Sequence, residues 1–352
     1  MAVKIVGVEE FLDLAGQLPV ADVRSPGEFL NGHIPGAVNI PLFDDNEREA
    51  VGIKYKKEGR NPAIKEGLKR IGPSISSKLE KALDLAHEGK LLVHCWRGGM
   101  RSEAMAWLFS LGGIEAIVLE GGYKKYRNHI LEKLSQKRKM IILGGMTGSS
   151  KTHILRNLRK AGNPVIDLEG LANHKGSAFG SLGQLPQPTT EHFANLLYEE
   201  WICIKPETPF WLEDESRNIG SVFLPDPFYA NMQVSDTILL VMDIQTRLPR
   251  LLEEYSVFPP ETLKDSVMRI SKRLGGDNTR DALEAIDKGD FAKAIGITLI
   301  YYDKAYMFGL KKKSESKIIT VETDTDDIEI NTSKVLEAAG RIDWIKAGFT
   351  GS

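Results

Sequence analysis

The segment that most constrains the fold of this chain is residues 140–161, where an apolar strand runs through a glycine-rich loop into a helix. Met140–Leu143 is a continuous apolar run, the loop after it is rich in glycine and hydroxyl side chains, and Thr152–Ala161 is predicted to be helical. A short apolar run bounded by glycine is typical of a strand buried inside a parallel sheet. The segment therefore predicts an α/β domain.

A second strand–helix pattern occupies the first 120 residues. The predicted strands are Lys4–Val6, Val20–Val23, Val38–Ile40, Leu91–His94 and Ala116–Leu119, and the predicted helices include Glu80–Glu88 and Glu103–Leu111. Because strands that alternate with helices usually form parallel sheets, both halves of the chain are predicted to be α/β. The length of 352 residues agrees with two domains, since one domain usually takes about 100–200 residues.

A basic stretch, Tyr123–Lys139, lies between the two patterns and contains neither glycine nor proline. It is predicted to be helical, either as a solvated face or as a strip that contacts RNA phosphates. The predicted division is a first domain over residues 1–130, a basic connecting helix over 131–139 and a second domain over 140–352. Most of the second domain between Gln245 and Leu310 is predicted to be helical.

The composition is that of an ordinary globular protein, with 42% hydrophobic and 27% charged residues. No apolar run approaches the roughly 20 residues that span a bilayer, and the N-terminus lacks the features of a signal peptide. We therefore expect a cytoplasmic protein with no membrane partner. A net charge of −2 gives no overall signal for nucleic acid. Two distant cysteines, Cys95 and Cys203, predict free thiols without a zinc site.

The first candidate site is Cys95, which follows the predicted strand Leu91–His94. The loop Trp96–Arg101 after it contains two glycines, which allow successive backbone N–H groups to surround an anion. The N-terminus of the next helix and the side chains of Arg97 and Arg101 add positive charge. These effects favour the thiolate, so Cys95 is predicted to be a nucleophile. The alternative is a buried structural cysteine.

The second candidate site is the loop Gly145–Thr152, which follows the phosphate-binding pattern G-x-x-x-x-G-K-[ST] except at one position. Loop N–H groups would cradle phosphate oxygens, Lys151 would supply a positive charge, and Thr152 could ligate Mg²⁺. Serine stands at position 150 in place of glycine, and its Cβ is expected to crowd a bound phosphate. The predicted phosphate-binding residues are Gly145, Thr147, Gly148, Ser149, Lys151 and Thr152.

Three acidic residues follow the predicted strand Phe210–Leu212. Asp214 or Glu213 could hold Mg²⁺ through water, and Glu215 could act as a base, with a solvated acidic turn as the alternative. Asp167, after another predicted strand, is a further candidate for these roles or for the N-cap of the next helix. The sequence fixes no set of metal ligands, and no tightly bound cofactor is predicted.

Two upstream segments support a function for Cys95. Asp22–Phe29 follows the pattern D-V-R-x-x-x-E-F, and Gly32–Pro41 reads G-H-I-P-G-A-V-N-I-P. With the Cys95 loop, they resemble the rhodanese homology domain over roughly residues 1–127. The resemblance implies a five-stranded parallel sheet and a cysteine that carries sulfur or selenium as a persulfide or perselenide. The residues expected to order loops are Asp22, Arg24, Glu28 and His33.

Further segments extend a resemblance over nearly the whole chain, namely Val51–Arg60, Glu120–Lys124, His174–Gly180 and Glu213–Gly220. Together with the order of the two domains, they resemble the tRNA 2-selenouridine synthase family, which has glycine at the position of Ser150. The resemblance implies tRNA as the partner and two steps at its wobble uridine. Geranyl diphosphate first alkylates the sulfur of 2-thiouridine, and selenophosphate then supplies selenium in its place. Our hypothesis assigns Gly145–Thr152 to geranyl diphosphate or another phosphate ligand, and Cys95 to the selenium step.

Several residues are candidates for phosphate or RNA contacts, namely Arg217, Lys54, Tyr55, Lys124 and Arg273. Cys203 lies in an apolar helical setting and is predicted to belong to the core. Two other functions remain open at this point. One is a small-molecule kinase with an accessory rhodanese domain, and the other is a sulfurtransferase or sulfur relay whose phosphate-binding loop is degenerate.

Overall fold

The computed structural model of the protein describes residues 3–177, 179–311, 313 and 317–345. The chain forms two compact units, one of Met1–Lys133 with Ala194–Leu196 and the other of Leu134–Phe193 with Leu197–Ser352. Each unit has a parallel sheet and a buried core, which confirms the predicted α/β class. No helix in these described ranges is long and apolar enough to cross a bilayer.

Five strands form the sheet of the first unit: β1 (Lys4–Val6), β2 (Val20–Asp22), β3 (Val38–Asn39), β4 (Lys90–His94) and β5 (Glu115–Leu119). Their order is β1-β5-β4-β2-β3, and every neighbouring pair is parallel. After the first residue, β4 and β5 are fully buried, as is usual at the centre of a parallel sheet. Cys95 follows β4 at the edge where the carboxyl ends of the strands meet.

The helices of the first unit are α1 (Val8–Ala15), α2 (Pro26–Asn31), α3 (Asp45–Glu58), α4 (Arg60–Ile71), α5 (Ile75–Leu85), α6 (Met100–Leu111) and α7 (Gly122–Leu134). One 3₁₀ turn, Gly72–Ser74, joins α4 to α5. The core lies between the sheet and helices α5 and α6, where Ala82, Met105 and Phe109 are fully buried. No residue of α3 is buried, so its basic side chains lie on the surface.

Five strands also form the main sheet of the second unit: β6 (Met140–Gly145), β7 (Val165–Ile166), β8 (Phe210–Glu213), β11 (Asp236–Met242) and β12 (Ile318–Thr323). Their order is β12-β11-β6-β8-β7, and all pairs are parallel. A small antiparallel hairpin joins β9 (Asn218–Ile219) to β10 (Val222–Phe223). All six residues of the central strand β6 are buried, and its carboxyl end leads into the glycine-rich loop.

The helices of the second unit are α8 (Lys151–Lys160), α9 (Leu168–Ala172), α10 (Thr190–Cys203), α11 (Asp226–Gln233), α12 (Ile244–Tyr255), α13 (Pro260–Arg269), α14 (Ser271–Leu274), α15 (Gly276–Asp287), α16 (Phe291–Leu310) and α17 (Ile328–Ala339). Leu155 of α8 and Val335 of α17 pack in the core of the sheet. Helices α12 to α16 enclose a second core around Leu251 and Val267. The predicted helical segment between residues 245 and 310 is confirmed.

The predicted connecting helix over residues 131–139 is wrong at its C-terminal end, because α7 ends at Leu134. Arg138 instead donates hydrogen bonds to the carbonyls of Trp201 and Ile204 at 2.8 and 2.6 Å. Its guanidinium also lies 4.6 Å from the centre of the Trp201 ring. These contacts with the end of α10 hold the residues before β6 outside a helix, because tertiary contacts outweigh a local helical preference.

Cys203 is exposed, so its predicted place in the core is wrong. It is the last residue of α10, whose buried side chains include Phe193, Leu197 and Trp201. Each residue of an α-helix turns the side chain by about 100°, so Cys203 points about 200° away from Trp201. Trp201 therefore belongs to a buried helix face that the cysteine does not share, and Ile202 is itself exposed.

Candidate functional site

The loop that contains Cys95 is hydrogen-bonded to the start of α7. The backbone N–H groups of Tyr123 and Lys124 donate to the carbonyls of Cys95 and Trp96 at 2.8 and 3.0 Å. Gly98 has a φ of +64°, and a Cβ at this position would lie 2.6 Å from a backbone carbonyl oxygen at the end of β5. Glycine is therefore required here both by the left-handed backbone and by the close approach of the two loops.

The Cys95 thiol is almost enclosed, with 3% of the residue exposed, and its Sγ lies 3.3 Å from Ser102 Oγ in α6. Burial alone would raise the pKa of the thiol. The Ser102 hydroxyl and the backbone N–H groups of Gly99 and Arg97 oppose this effect by hydrogen bonding. With the positive charge of Arg101 they outweigh it, so the pKa of Cys95 is lowered. This supports the predicted nucleophilic thiolate.

Arg101 is held beside the thiol by Glu28. Its two terminal nitrogens donate to both carboxylate oxygens of Glu28 at 2.6 and 3.3 Å, and Arg48 reaches the same carboxylate at 3.0 Å. Burial opposes ionisation of Glu28, but these arginines outweigh it and lower the pKa of the carboxyl. Arg48, Arg97 and Arg101 line a pocket of about 580 Å³ together with Trp96, Glu28 and Asp45. The first site therefore places a nearly buried thiol next to a pocket with three arginines and two carboxylates.

A buried ion pair between Asp22 and Arg24 stabilises the edge of the first sheet where Cys95 lies. Both side chains are fully buried and lie 2.6 Å apart. Arg24 also donates to the carbonyl of Gly32 at 2.7 Å and lies 3.7 Å from the centre of the Tyr123 ring. His94 is fully buried 3.7 Å from Asp22, and burial lowers its pKa more than Asp22 raises it. These contacts order the loops, in line with the role expected for Asp22 and Arg24.

The glycine-rich loop joins β6 to α8 in the geometry of a phosphate-binding loop. Lys151 begins α8, and its ammonium donates to the carbonyl of Gly145 at 2.8 Å. Gly148 has a φ of +83°, and Ser150 is also left-handed with a φ of +63°. A left-handed residue that carries a Cβ costs roughly 1–2 kcal/mol. A glycine at position 150, as in the pattern, would avoid this strain. This chain has serine there and adopts the left-handed conformation in spite of its cost.

Helix α12 braces the loop from its other side. Arg247 is 2% exposed, donates to the carbonyl of Thr147 at 2.9 Å, and pairs with Asp303 of α16 at 2.6 Å. A Cβ at Gly148 would lie 2.7 Å from a methyl carbon of Leu251, so the loop and α12 are closely packed. The helical layer of the second unit therefore fixes the shape of the phosphate-binding loop.

Acidic side chains lie beside the loop, after β7 and β8. Thr152 donates to Glu169 at 2.8 Å, and Glu169 also hydrogen-bonds with Glu215. Burial, and then the negative charge of Glu169, raise the pKa of Glu215 well above its usual value. A hydrogen bond between two carboxyl groups requires a proton on one of them. Asp167 caps α9 by accepting a hydrogen bond from the N–H of Gly170 at 2.7 Å.

The other two predicted acids have partners within the protein. Glu213 is fully buried, accepts a hydrogen bond from the N–H of Leu168 at 3.0 Å, and does not line the cleft beside the loop. Burial, and then the negative charges of Asp167 and Glu169, raise its pKa well above the usual value. Asp214 accepts a hydrogen bond from Tyr306 at 2.9 Å on one oxygen and forms an ion pair with Lys313 through the other.

Phosphate-binding loops commonly work with Mg²⁺, but Asp214 does not fit as a ligand of that ion. Both of its carboxylate oxygens are engaged, one by Tyr306 and the other by Lys313. Within the part of the chain that the structure describes, no group of three or more His, Cys, Asp or Glu side chains is placed to hold a metal. We therefore derive no catalytic step through a metal at Asp214.

The loop opens into a cleft of about 1320 Å³. The basic side chains in its lining include Lys151, Arg156, Lys175, Arg250, Arg269 and Arg273, and the acidic ones include Asp167, Glu169, Asp214, Glu215, Glu253 and Glu254. The aromatic side chains in its lining include Tyr229, Tyr255, Tyr301, Tyr302 and Tyr306. A cavity with this lining suits a ligand that joins phosphate groups to an apolar or aromatic part.

The predicted phosphate or RNA contacts are spread over both units. Arg273 lines the cleft. Arg217 and Lys54 form surface ion pairs at 2.6 and 3.7 Å. The side chains of Tyr55 and Lys124 are exposed. The structure therefore brings Arg273 to the cleft beside the phosphate-binding loop. The other four lie on the surfaces of their own units.

Sequence reasoning missed four residues that contact the two sites, namely Ser102, Arg247, Tyr306 and Lys313. Tyr306 and Lys313 are 92 and 99 residues away from Asp214 in sequence, so no local pattern connects them. The spacing of Tyr302 and Tyr306, four residues apart, was a local sign that one face of α16 is aromatic. Ser102 stands in the first turn of α6, where a hydroxyl can reach back to the loop before the helix.

Two family models match the chain. A model described as "tRNA 2-selenouridine synthase AAA domain" matches residues 138–335, and one described as "Rhodanese-like domain" matches residues 8–129. The matched ranges contain the phosphate-binding loop and Cys95, respectively.

Relatives match over most of the chain. A tRNA 2-selenouridine synthase from Nitrosomonas europaea is 32% identical, and the match covers 88% of this chain and 93% of the relative. One from Bdellovibrio bacteriovorus is 32% identical over 89% of this chain and 94% of the relative. One from a Sulfurovum species is 34% identical over 84% and 90%. On these matches and on the two sites described above, the chain belongs to the tRNA 2-selenouridine synthase family.

Proposed function

We propose that the protein converts 2-thiouridine at the wobble position of tRNA to 2-selenouridine through an S-geranyl intermediate. Geranyl diphosphate is the first donor and selenophosphate is the second. The named activity of the relatives supports the overall conversion. The observation that supports the two-step form is that one chain has two different candidate anion sites. One is a phosphate-binding loop beside a cleft with five tyrosines, and the other is a thiol next to a pocket with three arginines.

The first step takes place in the cleft. The sulfur of 2-thiouridine attacks C1 of geranyl diphosphate, a carbon–sulfur bond forms, and the bond between C1 and the diphosphate oxygen breaks. Lys151 and the N–H groups of Gly145–Thr152 stabilise the charge on the leaving diphosphate, and the tyrosines contact the geranyl chain. The N3 proton of the base must also leave, and the Glu169–Glu215 pair accepts it.

The second step needs Cys95. Selenium replaces the geranylthio group at C2, so a carbon–selenium bond forms, the carbon–sulfur bond breaks, and geranylthiolate leaves with the bonding electrons. Selenophosphate is an anion, and the pocket of Arg48, Arg97 and Arg101 offers it a complementary charge. The alkylation of the first step makes sulfur a much better leaving group, which explains why the two activities occur in one chain.

The proposal is tested by mass analysis of nucleosides after incubation with 2-thiouridine tRNA, geranyl diphosphate and selenophosphate. The wild type is expected to produce 2-selenouridine. Cys95→Ala is expected to stop at S-geranyl-2-thiouridine, because the cleft is untouched. Lys151→Ala is expected to slow geranylation at least about tenfold, because one oxyanion-stabilising group is lost.

Matched controls exist for both variants. Cys203→Ala removes the exposed cysteine, and Lys160→Ala removes an exposed lysine from α8, so both are expected to keep both steps. Loss of geranylation in a folded Cys95→Ala protein would contradict the division of labour. Rapid ATP turnover without tRNA would instead favour a kinase.

A further inference from the structure

The Cys95 loop has the shape of a site for a phosphoryl group. Five residues separate Cys95 from Arg101, and the loop between them brings the N–H groups of Arg97 and Gly99 to the sulfur. The left-handed Gly98 curls this backbone around one point, as in the concave nests that bind phosphate. A tetrahedral anion seated on these N–H groups would turn its central atom toward Sγ.

The arginines of the pocket match a phosphoryl group in charge and geometry. Arg101 donates two N–H groups to Glu28, and a guanidinium has five donors, so further donors remain for phosphoryl oxygens. Arg48 and Arg97 line the same pocket. The planar fork of arginine binds phosphate oxygens in pairs, which a lysine cannot do. Glu28 therefore fixes the orientation of the guanidinium beside the thiol.

The electron balance of the selenium step decides which atom the thiolate attacks. Selenium has the same oxidation state in selenophosphate and in 2-selenouridine. A perselenide on Cys95, formed from selenophosphate, would require either an external oxidant, which neither the structure nor the proposed reaction supplies, or the loss of phosphorus as phosphite, a two-electron reduction of phosphorus. Attack of the thiolate on phosphorus requires no oxidant and leaves selenium as selenide.

We propose that Cys95 takes the phosphoryl group of selenophosphate rather than its selenium. Sγ attacks phosphorus, an S–P bond forms, the P–Se bond breaks, and selenide leaves with the bonding electrons. Selenide then adds to C2 of the S-geranylated base and expels geranylthiolate. Water hydrolyses the S–P bond, which releases phosphate and a proton and restores the thiolate. The inference rests on the proposed function, because selenophosphate is itself the proposed donor.

The test uses full-length protein and selenophosphate that carries either ³²P or ⁷⁵Se, without tRNA or geranyl diphosphate. After a rapid acid quench, the wild type is expected to hold ³²P, and ⁷⁵Se is expected in solution as selenide. Cys95→Ala is expected to hold at least about tenfold less ³²P, whereas Cys203→Ala, which removes the exposed cysteine, is expected to match the wild type. Because no tRNA is present, the result does not depend on the geranylation step.

A second variant separates phosphoryl binding from simple loss of the thiol. Arg101→Lys keeps the charge but loses the paired N–H donors, so the rate of phosphate release from selenophosphate is expected to fall at least about tenfold. Arg70→Lys, which alters an arginine paired with Glu66 in α4, is expected to leave the rate unchanged. Protein-bound ⁷⁵Se without ³²P would overturn the inference in favour of a perselenide. Absence of geranylation in the tRNA assay would remove the proposed first step and leave this measurement standing.

Discussion

At the scale of single residues, the reactivity of Cys95 depends on one hydroxyl proton. Ser102 Oγ lies 3.3 Å from the sulfur and 2.9 Å from the carbonyl oxygen of Gly99. A serine has a single O–H donor, so it can serve only one of these two acceptors at a time. When the thiol ionises, the hydroxyl can turn from the carbonyl to the sulfur and stabilise the negative charge.

Ser102→Ala is therefore expected to raise the pKa of Cys95, because the hydrogen bond from Ser102 is the largest effect that lowers this pKa against burial. The alkylation rate with iodoacetamide follows the thiolate, so its pH profile should move to higher pH. One hydrogen bond is worth about 0.5–1.5 kcal/mol, which makes alkylation at pH 7 about two- to tenfold slower. Ser110→Ala, at the other end of α6, is the control. An unchanged profile would mean that the hydroxyl does not stabilise the thiolate.

At the scale of secondary-structure elements, the end of β8 and the end of α16 meet through Asp214. Tyr306 of α16 donates to Asp214 and accepts a hydrogen bond from the N–H of Gly145 at 2.9 Å. Lys313, which follows α16, pairs with the other carboxylate oxygen and lines the cleft. Both side chains of this ion pair are nearly buried, at 4% and 6% exposed. Lys313 thus brings a further ammonium, besides Lys151 and Lys175, to the cleft that we propose binds diphosphate.

Lys313→Met is expected to weaken the binding of inorganic diphosphate at least about tenfold, because a charge-assisted hydrogen bond is worth about 1.5–3 kcal/mol. Calorimetry measures this directly. Lys311→Met, an exposed lysine two residues earlier, is the control. Asp214→Asn should weaken binding to the same extent in EDTA and in excess Mg²⁺, because its role is to hold Lys313. Rescue of Asp214→Asn by high Mg²⁺ would show that this carboxylate ligates metal instead.

At the scale of the whole molecule, the features set by local sequence could be predicted. The apolar runs that form β4 and β6 and the glycines after them lie in single short segments, so the positions of Cys95 and Lys151 at the carboxyl ends of strands followed directly. The parallel sheets followed from the alternation of strands and helices. Even the departure at Ser150 was visible, although its cost proved to lie in the left-handed backbone.

The features that could not be predicted depend on contacts between distant segments. The end of α7 is decided by Arg138, whose acceptors lie 63 or more residues later in the sequence. The partners of Asp214 come from α16 and the residue at position 313, far beyond any motif. Cys203 was misplaced because only Trp201 of its apolar neighbours is on the buried face of the helix, whereas Ile202 is exposed. No pattern within a window of one element contains this information.

A division of labour between the two units predicts that two defective proteins can complete the reaction together. Cys95→Ala should convert 2-thiouridine to S-geranyl-2-thiouridine and stop, and Lys151→Ala should carry out the selenium step on tRNA that is already geranylated. Neither variant alone should make more than about a tenth of the 2-selenouridine that the wild type makes. A mixture of the two variants should make 2-selenouridine at a rate that rises with the concentration of the second protein, since the geranylated tRNA must leave the first variant and bind the second.

Nucleoside mass analysis of the single and mixed reactions checks this prediction, with pre-geranylated tRNA as the control substrate. If Lys151→Ala cannot use pre-geranylated tRNA, the phosphate-binding loop also serves the selenium step, and the assignment of one step to each site is incorrect.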